Sequence, residues 1–365
     1  MSGSRSRTGF AAGVGMRFAV AALIALHALI HLLGLKLAPT RAEAGLWVAT
    51  GVVLFGAAVL RVFDRDAWWM IAAVGVVASQ VLVIRQWSDA KAGTIPNVLL
   101  VLPIVVGAAT WSFHREDARR AQELLARAPR AGAVLTPADV ATLPAPIGRW
   151  LAHSGAVGKP RATSVRLIQR GEMRTSPGAT GMPAEATQYF TVESPGFVWC
   201  VDVTMMHVLP VVGRDSFVDG HGRMLIEVGG LVTVADGTGP KFDQGTLLRW
   251  LAEIVWFPSG ALSPVIRWEP VDDRRARATV SQTGIEDVSA VFEIDEQGRV
   301  AGLAAKRWFN GETLEDWEIP VAEWRVIRGV EMPTRGGARW KLAKGDFDYY
   351  DWEIVDVEAN PPGLY

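Results

Sequence analysis

Two histidines four residues apart, His27 and His31, stand inside an otherwise apolar run. On a helix that spacing puts both rings on one face. Ionisable groups in such a setting are expensive and default to a functional reading. Two imidazoles could begin a metal site, but a metal needs more ligands. Asp89, in a later loop expected on the same side as the His31 end, completes a candidate metal set of His27, His31 and Asp89. A bis-histidine haem would want a histidine on a second helix, and only His114, at a far end, is offered. The plainer reading is hydrogen bonding between helices, with Gln80 or Asn97 as partner. No cofactor is assigned.

Elsewhere, His153, His207 and His221 have no ligand-like spacing, and neither a Gly-x-Ser-x-Gly elbow nor a His-Glu-x-x-His helix occurs. Gly158-Lys159 imitates the end of a phosphate loop, but His153 stands where that motif needs its first glycine and Pro160 follows the lysine. Nucleotide binding is rejected on those grounds. Asp243, Glu253, Asp346, Asp348 and Asp351 supply carboxylates, most of them expected to be solvated or salt-bridged. The aromatic group Trp250, Trp256, Phe257 and Trp268 reads first as core and second as a wall for a hydrophobic ligand. With Phe197, Trp199 and Val201 from one strand face, Trp250, Trp256 and Trp268 form the candidate ligand-binding set. The single cysteine, Cys200, excludes an intramolecular disulfide or a thiolate metal cluster and reads as a small buried hydrophobe.

These residues must be positioned by two different kinds of element. A helix crossing the hydrocarbon core needs about 20 mostly apolar residues. Four stretches qualify: Met16 to Leu37, Ala44 to Leu60, Ala67 to Ile84 and Ile95 to Phe113, each free of Asp, Glu, Lys and Arg apart from Arg17 and Lys36 at the ends of the first. Short charged loops connect them, and Trp47, Trp68, Trp69, Trp87 and Trp111 fall near their ends, where an amphipathic ring prefers the headgroup level. The expected architecture is α+β: a four-helix transmembrane bundle over 1–114, a helical neck over 115–160, and a mostly antiparallel curved β-sheet, half-barrel-like with one packed helix, over 161–365. An alternative for the N-terminus is a cleaved signal peptide ending near Ala42-Glu43-Ala44, which would leave three spans and invert the topology.

Lysine and arginine favour the cytoplasmic side of short flanking segments. With the N-terminus inside, that side collects Arg5, Arg7, Arg17, Arg61, Arg65, Arg115, Arg119 and Arg120, against Lys36, Arg41, Arg85 and Lys91 opposite. The reading is therefore a multi-pass protein of the cell membrane with a cytoplasmic soluble domain, its first partner being the lipid bilayer. The net charge of −1 averages two unlike halves. No basic excess or long like-charge run points to nucleic acid.

In the neck, a helix-forming join runs from His114 to about Arg130. Thr136 before Pro137 is a helix start, Pro144 and Pro146 interrupt, and Ile147, Trp150 and Leu151 share one side of a second short helix ending near Ser154-Gly155. From about Arg161 the period becomes alternating, the mark of strands with one face buried. Phe197, Trp199, Val201, Val203 and Met205 point one way, and Val198, Cys200, Asp202, Thr204 and Met206 the other. Further strands are expected at Val165 to Arg170, Met224 to Val228, Leu231 to Val234, Ala276 to Val280, Ala290 to Ile294, Val300 to Ala304, Trp340 to Leu342 and Tyr349 to Val357. Turns are expected at Asp219-Gly220, Asp236-Gly237, Gln297-Gly298, Arg328-Gly329 and Lys344-Gly345. One helix interrupts the series, from about Gln244 to Trp256, with Asp243 as N-cap, an apolar stripe of Leu247, Trp250, Leu251, Ile254 and Val255, and Arg249 four residues before Glu253 on the exposed side.

The stretch Leu143-Pro-Ala-Pro-Ile-Gly-Arg-Trp-Leu through Ser154-Gly-Ala-Val-Gly-Lys-Pro160, with Gln188-Tyr-Phe190, Pro195-Gly-Phe-Val-Trp199, Arg214-Asp-Ser216, Asp243-Gln-Gly245, Val255-Trp-Phe-Pro258 and Met332-Pro-Thr334, resembles a bacterial membrane-associated family of unknown function. The likeness covers about Leu143 to the C-terminus. The segment from Trp87 to Asn97 also resembles a recurring piece of such proteins. The resemblance implies a domain of this type following several spans, and a sheet-plus-helix pattern similar to the half-barrel of lipoprotein carriers, which hold acyl chains. It supplies no reaction and no catalytic residues.

Three functions follow as expectations: a domain that binds a lipid or other apolar small molecule at the membrane, a membrane enzyme acting on an envelope or lipid substrate, or a structural module. The first is favoured by the curved-sheet patterning and the inner-face aromatics. Protease added outside intact cells should leave the soluble domain whole, and should degrade it once the membrane is breached; digestion in intact cells would reverse the orientation.

Overall fold

The computed structural model describes residues 7–129, 132–206 and 208–365. Arg5, Arg130 and His207 lie outside the described residues. The chain divides into two compact units, one of Met1–His114, Thr204–Pro210 and Val228–Val232, the other of Arg115–Val203, Val211–Glu227 and Thr233–Tyr365.

The first unit is built on helices α1 (Arg7–Ile30, extended by a 3₁₀ turn His31–Lys36), α2 (Arg41–Val62), α3 (Trp68–Arg85), the short α4 (Trp87–Ala90) and the start of α5 (Thr94–Ala126). Thr40 caps α2, its hydroxyl accepting from the Glu43 amide at 3.2 Å. Four stretches are long and apolar enough to cross a membrane: Gly15–Lys36, Arg41–Val62, Trp68–Arg85 and Trp87–Ala126. Inside the unit a few polar side chains lie beside an apolar cluster that includes Ile24, Leu54, Ala72 and Leu100, and large apolar side chains face outward. His27, His31, Ser79 and Asn97 are buried, whereas Leu29, Leu33, Val52, Phe55, Val74, Val77, Ile84, Val98 and Leu102 are exposed. The expected last span and the helical join after it are one continuous helix, α5, with Pro103 inside it.

In the second unit, α6 (Pro137–Val140) carries a capping box in which the Thr136 hydroxyl accepts the Asp139 amide and the Asp139 carboxylate accepts the Thr136 amide. Helix α7 (Ala145–His153) sends Ile147, Trp150 and Leu151 into the main core, as their spacing predicts. Six strands follow, β1 (Ser164–Met173), β2 (Met182–Thr191), β3 (Gly196–Met205), β4 (Leu209–Val218), β5 (His221–Val228) and β6 (Val232–Thr238). After α8 (Pro240–Glu253) and two 3₁₀ turns, Ile254–Trp256 and Pro258–Leu262, come β7 (Ile266–Pro270), β8 (Arg275–Gln282), β9 (Ile285–Ile294), β10 (Val300–Phe309), β11 (Thr313–Ile327), β12 (Val330–Leu342) and β13 (Gly345–Ala359).

All thirteen strands form one antiparallel sheet, ordered β6-β5-β4-β3-β2-β1-β13-β12-β11-β10-β9-β8-β7. It is two meanders sewn together where the first strand meets the last, and it curls into a half-barrel. The chain leaves the sheet at one edge, β6, and re-enters at the other, β7, and the connection passes through the concavity. Helix α8, roughly 21 Å long at 1.5 Å per residue, makes that crossing. Leu247, Leu248, Trp250, Leu251 and Ala252 are all buried, and its apolar stripe meets the inner faces of the strands in one core.

Several local expectations need correction. The helix begins at Pro240, whose ring suits the first helical position, and not at Asp243; the Asp243 carboxylate instead accepts the Gly222 amide at 2.6 Å. Asp236-Gly237 is no turn but lies inside β6, where Asp236 pairs with Arg223 at 2.8 Å and a Cβ on Gly237 would lie 2.2 Å from the Phe242 ring. Strands β2, β4, β7 and β11 have no counterpart in the sequence reading. The inner row of β2 is small or polar at Ala184, Ala186 and Gln188 before it reaches Phe190, and β4 buries consecutive residues on both faces.

The seam between β1 and β13 has its own requirement. A Cβ on Gly171 would lie 2.1 Å from the Asp351 carbonyl oxygen, backbone that can retreat only by opening the ladder. Gly171→Ala should lower the stability of the full chain in detergent by about 1–3 kcal/mol, the usual cost of overpacking, in denaturant unfolding followed by tryptophan fluorescence. An unchanged midpoint would show that the seam yields freely.

Candidate functional site

The curl of the sheet brings a charged cluster into the half-barrel. Arg249 of α8 donates from Nη1 to Asp215 Oδ2 on β4 at 2.6 Å and from Nε to Glu253 Oε1, one turn on, at 2.8 Å. The three side chains are 15, 12 and 11% exposed respectively. The guanidinium lies 4.6 Å from the Trp199 ring centre and 5.1 Å from that of Phe197, both on β3, within reach of a cation–π attraction. Arg249 and Glu253 therefore point inward, not to solvent as their helical spacing suggested, because α8 is enclosed and has almost no outer side.

Glutamines complete the cluster. Gln188 on β2 donates Nε2 to Glu253 Oε2 at 2.6 Å. Gln169 on β1 accepts at Oε1 from Trp199 Nε1 and from the Tyr350 hydroxyl, each at 3.2 Å. Each amide is thereby oriented by its partners, since a carboxylate cannot donate and an indole cannot accept. What remains is a donor, Gln169 Nε2, and acceptors, Gln188 Oε1 and Asp215 Oδ1, all buried without a hydrogen-bond partner; Trp256 Nε1 is in the same condition. Buried polar atoms are seldom left so.

Burial pushes the Glu253 carboxyl up from its ordinary range, against the pull of Arg249. Arg249 is itself disfavoured by burial, but Glu253 and Asp215 outweigh that and its net shift is upward. Burial also raises the Tyr350 hydroxyl. Two carboxylates around one guanidinium, with acceptor and donor valences of the neighbouring side chains still open, can bind a polar group.

A second cation stands on β10. Arg307 lies 5.0 Å from the Trp317 ring centre and 5.8 Å from that of Trp340, and Nη1 reaches the Tyr349 hydroxyl at 3.4 Å. Its Nε is buried without a partner, and among the described residues no carboxylate is within ion-pair distance of it, including Glu315 opposite it across the ladder.

The ligand-binding set read from the sequence lies in this region. Phe197, Trp199, Val201, Trp250 and Trp256 are buried in one core, and Trp268 packs against it half-buried. Trp250 donates to the Thr191 carbonyl at 2.9 Å and Trp268 to the Ala261 carbonyl at 2.8 Å. Of the polar members, sequence reading takes Arg249 and Glu253 as an exposed helical pair and Glu253 as one carboxylate among several, and assigns Asp215, Gln169, Gln188 and Tyr350 no role of their own. Two of them, Gln188 and Asp215, fall in the short runs that carried the family resemblance, and that was the available signal. On the other face of the sheet, Asp117 of α5 pairs with Arg214, both side chains 6% exposed. Burial, then Asp117, push the neighbouring Cys200 thiol well up.

The histidines of the first unit form a chain of bonds. His27 Nε2 meets Asn97 Oδ1 at 2.7 Å and Ser79 Oγ at 3.2 Å, and His31 Nε2 meets the same hydroxyl at 3.0 Å. Asn97 donates on to Gln80 at 2.9 Å and Gln80 to Thr94 at 3.2 Å. Asp89 takes no part; it accepts from Ser88 at 2.7 Å. Among the described residues no group of three His, Cys, Asp or Glu side chains is placed to hold a metal ion. A pocket of about 450 Å³ lies between α5, β3 to β6 and the start of α8. Its arginines are already matched: Arg119 and Arg120 with Glu116, Arg127 with Asp219, Arg223 with Asp236.

A curled antiparallel sheet wrapped on one helix, with a charged cluster among aromatics, follows a set of long apolar helices: that defines the class of protein. The chain belongs to the family of unknown function DUF6544, whose model matches residues 133–352. No curated protein matches it. Among solved structures, a DUF1329 family protein from Desulfovibrio piger is similar over 64% of this chain and 96% of its own, at 8% identity and a TM-score of 0.35.

Replacing Arg249 by Met should cost about 3–5 kcal/mol, because Asp215 and Glu253 would be left buried without their cation. Arg249→Lys, which keeps the charge and loses the fork, should cost less. Unfolding of the full chain in detergent reads both, and equal losses would show that shape rather than charge matters at this position.

Proposed function

We propose that this chain is a multi-pass protein of the cell membrane whose half-barrel binds a lipid or another largely apolar molecule in its concave face, beside α8, without transforming it. The observation that carries this reading is the set of unpartnered polar atoms, Gln169 Nε2, Gln188 Oε1 and Asp215 Oδ1, within a wall of Phe197, Trp199, Val201, Trp250 and Trp256. An amphipathic molecule supplies both a polar end for these atoms and an apolar body for the rings. Arg307 offers a second station for a polar end, suited to an acidic one.

The membrane part of the reading draws on the four apolar helices, the large apolar side chains exposed along them, and the polar His27, His31, Ser79 and Asn97 kept inside. The arginine bias supports a cytoplasmic half-barrel. A second reading, an enzyme acting on an envelope or lipid substrate, draws on Glu253, a buried carboxyl with a raised pKa beside a cation, since such perturbed groups gather at active sites.

Full-length protein purified in mild detergent should release a small amphiphile on extraction with organic solvent, in near-equal molar amount by mass spectrometry. Gln169→Leu should retain much less of it. A protein that carries no such molecule and takes none up from added lipid would refute the binding reading, and turnover of a bound lipid that stops in Glu253→Gln would favour the second.

A further inference from the structure

Two short segments of the sheet belong to the first unit and not to the second: Thr204–Pro210, at the tip between β3 and β4, and Val228–Val232, at the tip between β5 and β6. They are joined to each other, the Gly229 amide donating to the Pro210 carbonyl at 2.8 Å. The second tip turns on Gly229 and Gly230, with φ of +63° and +65°, the pair of left-handed residues that a tight hairpin turn requires.

This turn is in backbone contact with α5. A Cβ on Gly230 would lie 2.8 Å from both the Ala109 carbonyl carbon and the Thr110 nitrogen, and one on Gly229 would lie 3.5 Å from Val106. Ala109 lies four residues before Phe113, where the apolar span read from the sequence ends. At 1.5 Å per residue the tip reaches roughly 6 Å inside that end, the depth at which headgroups give way to acyl chains.

The side chains agree with that depth. Met206 is 77% exposed, Val208 53%, Leu231 48% and Val232 60%. Apart from His207, which lies outside the described residues, neither segment contains an ionisable residue; the nearest are Asp202, Arg214, Glu227 and Asp236. Protruding apolar residues clustered in this way mark an interaction surface. The row Phe197, Trp199, Val201, Val203 and Met205, which lines the half-barrel, ends at the first of these tips.

We propose that the two hairpin tips are seated in the outer apolar layer of the same bilayer that α5 crosses, with Met206, Val208, Leu231 and Val232 in contact with lipid. This rests on the reading of the four helices as membrane-crossing. Full-length protein lacking its native thiol through Cys200→Ser is labelled with a small fluorophore at Met206→Cys, Leu231→Cys, Leu102→Cys or Glu296→Cys. Each is reconstituted in phosphatidylcholine vesicles with spin-labelled quencher lipid. Probes at 206 and 231 should be quenched several-fold more than the probe at exposed Glu296, and most by a quencher placed near the headgroup end of the acyl chain. The probe at Leu102, near mid-span, should respond most to a deep quencher. Tip probes that behave like the Glu296 probe while Leu102 is quenched would overturn the proposal alone. Absence of quenching at Leu102 as well would overturn the membrane-crossing reading, and this proposal with it.

Discussion

Because β1 pairs with β13, the free edges of the sheet are β6 and β7, and the chain travels between them across the hollow side. That topological constraint encloses α8. A helix lying on a flat sheet keeps an outer face for its charges, but one inside a curl does not. Arg249, Glu253 and the Asp215 that faces them become internal, and the rest of the site follows from satisfying them.

The enclosure has an energetic consequence. Three ionised groups with little access to water are tolerable only when mutually paired, and even then an apolar substitute of the same shape is often no less stable. Here the pairing is good but incomplete: Arg249 is held by two carboxylates and two aromatic faces, while atoms of Gln169, Gln188 and Asp215 lack partners. Those open valences are what the proposed guest would answer. In the first unit, His27, Ser79, Asn97 and Gln80 bonds link neighbouring helices in a continuous chain, although His27 Nδ1, His31 Nδ1 and Trp47 Nε1 are also buried without a partner.

How much could be seen in the residues alone depended on whether the signal was local. The long apolar helices were legible, since length and the absence of charge suffice, and so was the alternating row of β3. The apolar stripe of α8 was legible, but its polar residues were assigned outward, because i and i+4 spacing states which residues share a face and not what that face meets. Strand β4 escaped notice because it is sandwiched: Arg214 bonds Asp117 on one side of the sheet and Asp215 bonds Arg249 on the other. Its buried charges hide the alternation by which strands are recognised. Gly237 looked like a turn and is a point of contact for Phe242, a distinction that only tertiary packing makes.

The central claim, that the half-barrel is built around a guest, is tested most directly by an experimental density map of the full-length protein in lipid nanodiscs. The account predicts elongated non-protein density between α8 and the inner strands, with one end within hydrogen-bonding distance of Gln169 Nε2 and Gln188 Oε1. Side chains packed without a gap there, or a few isolated waters bridging those amides, would contradict it.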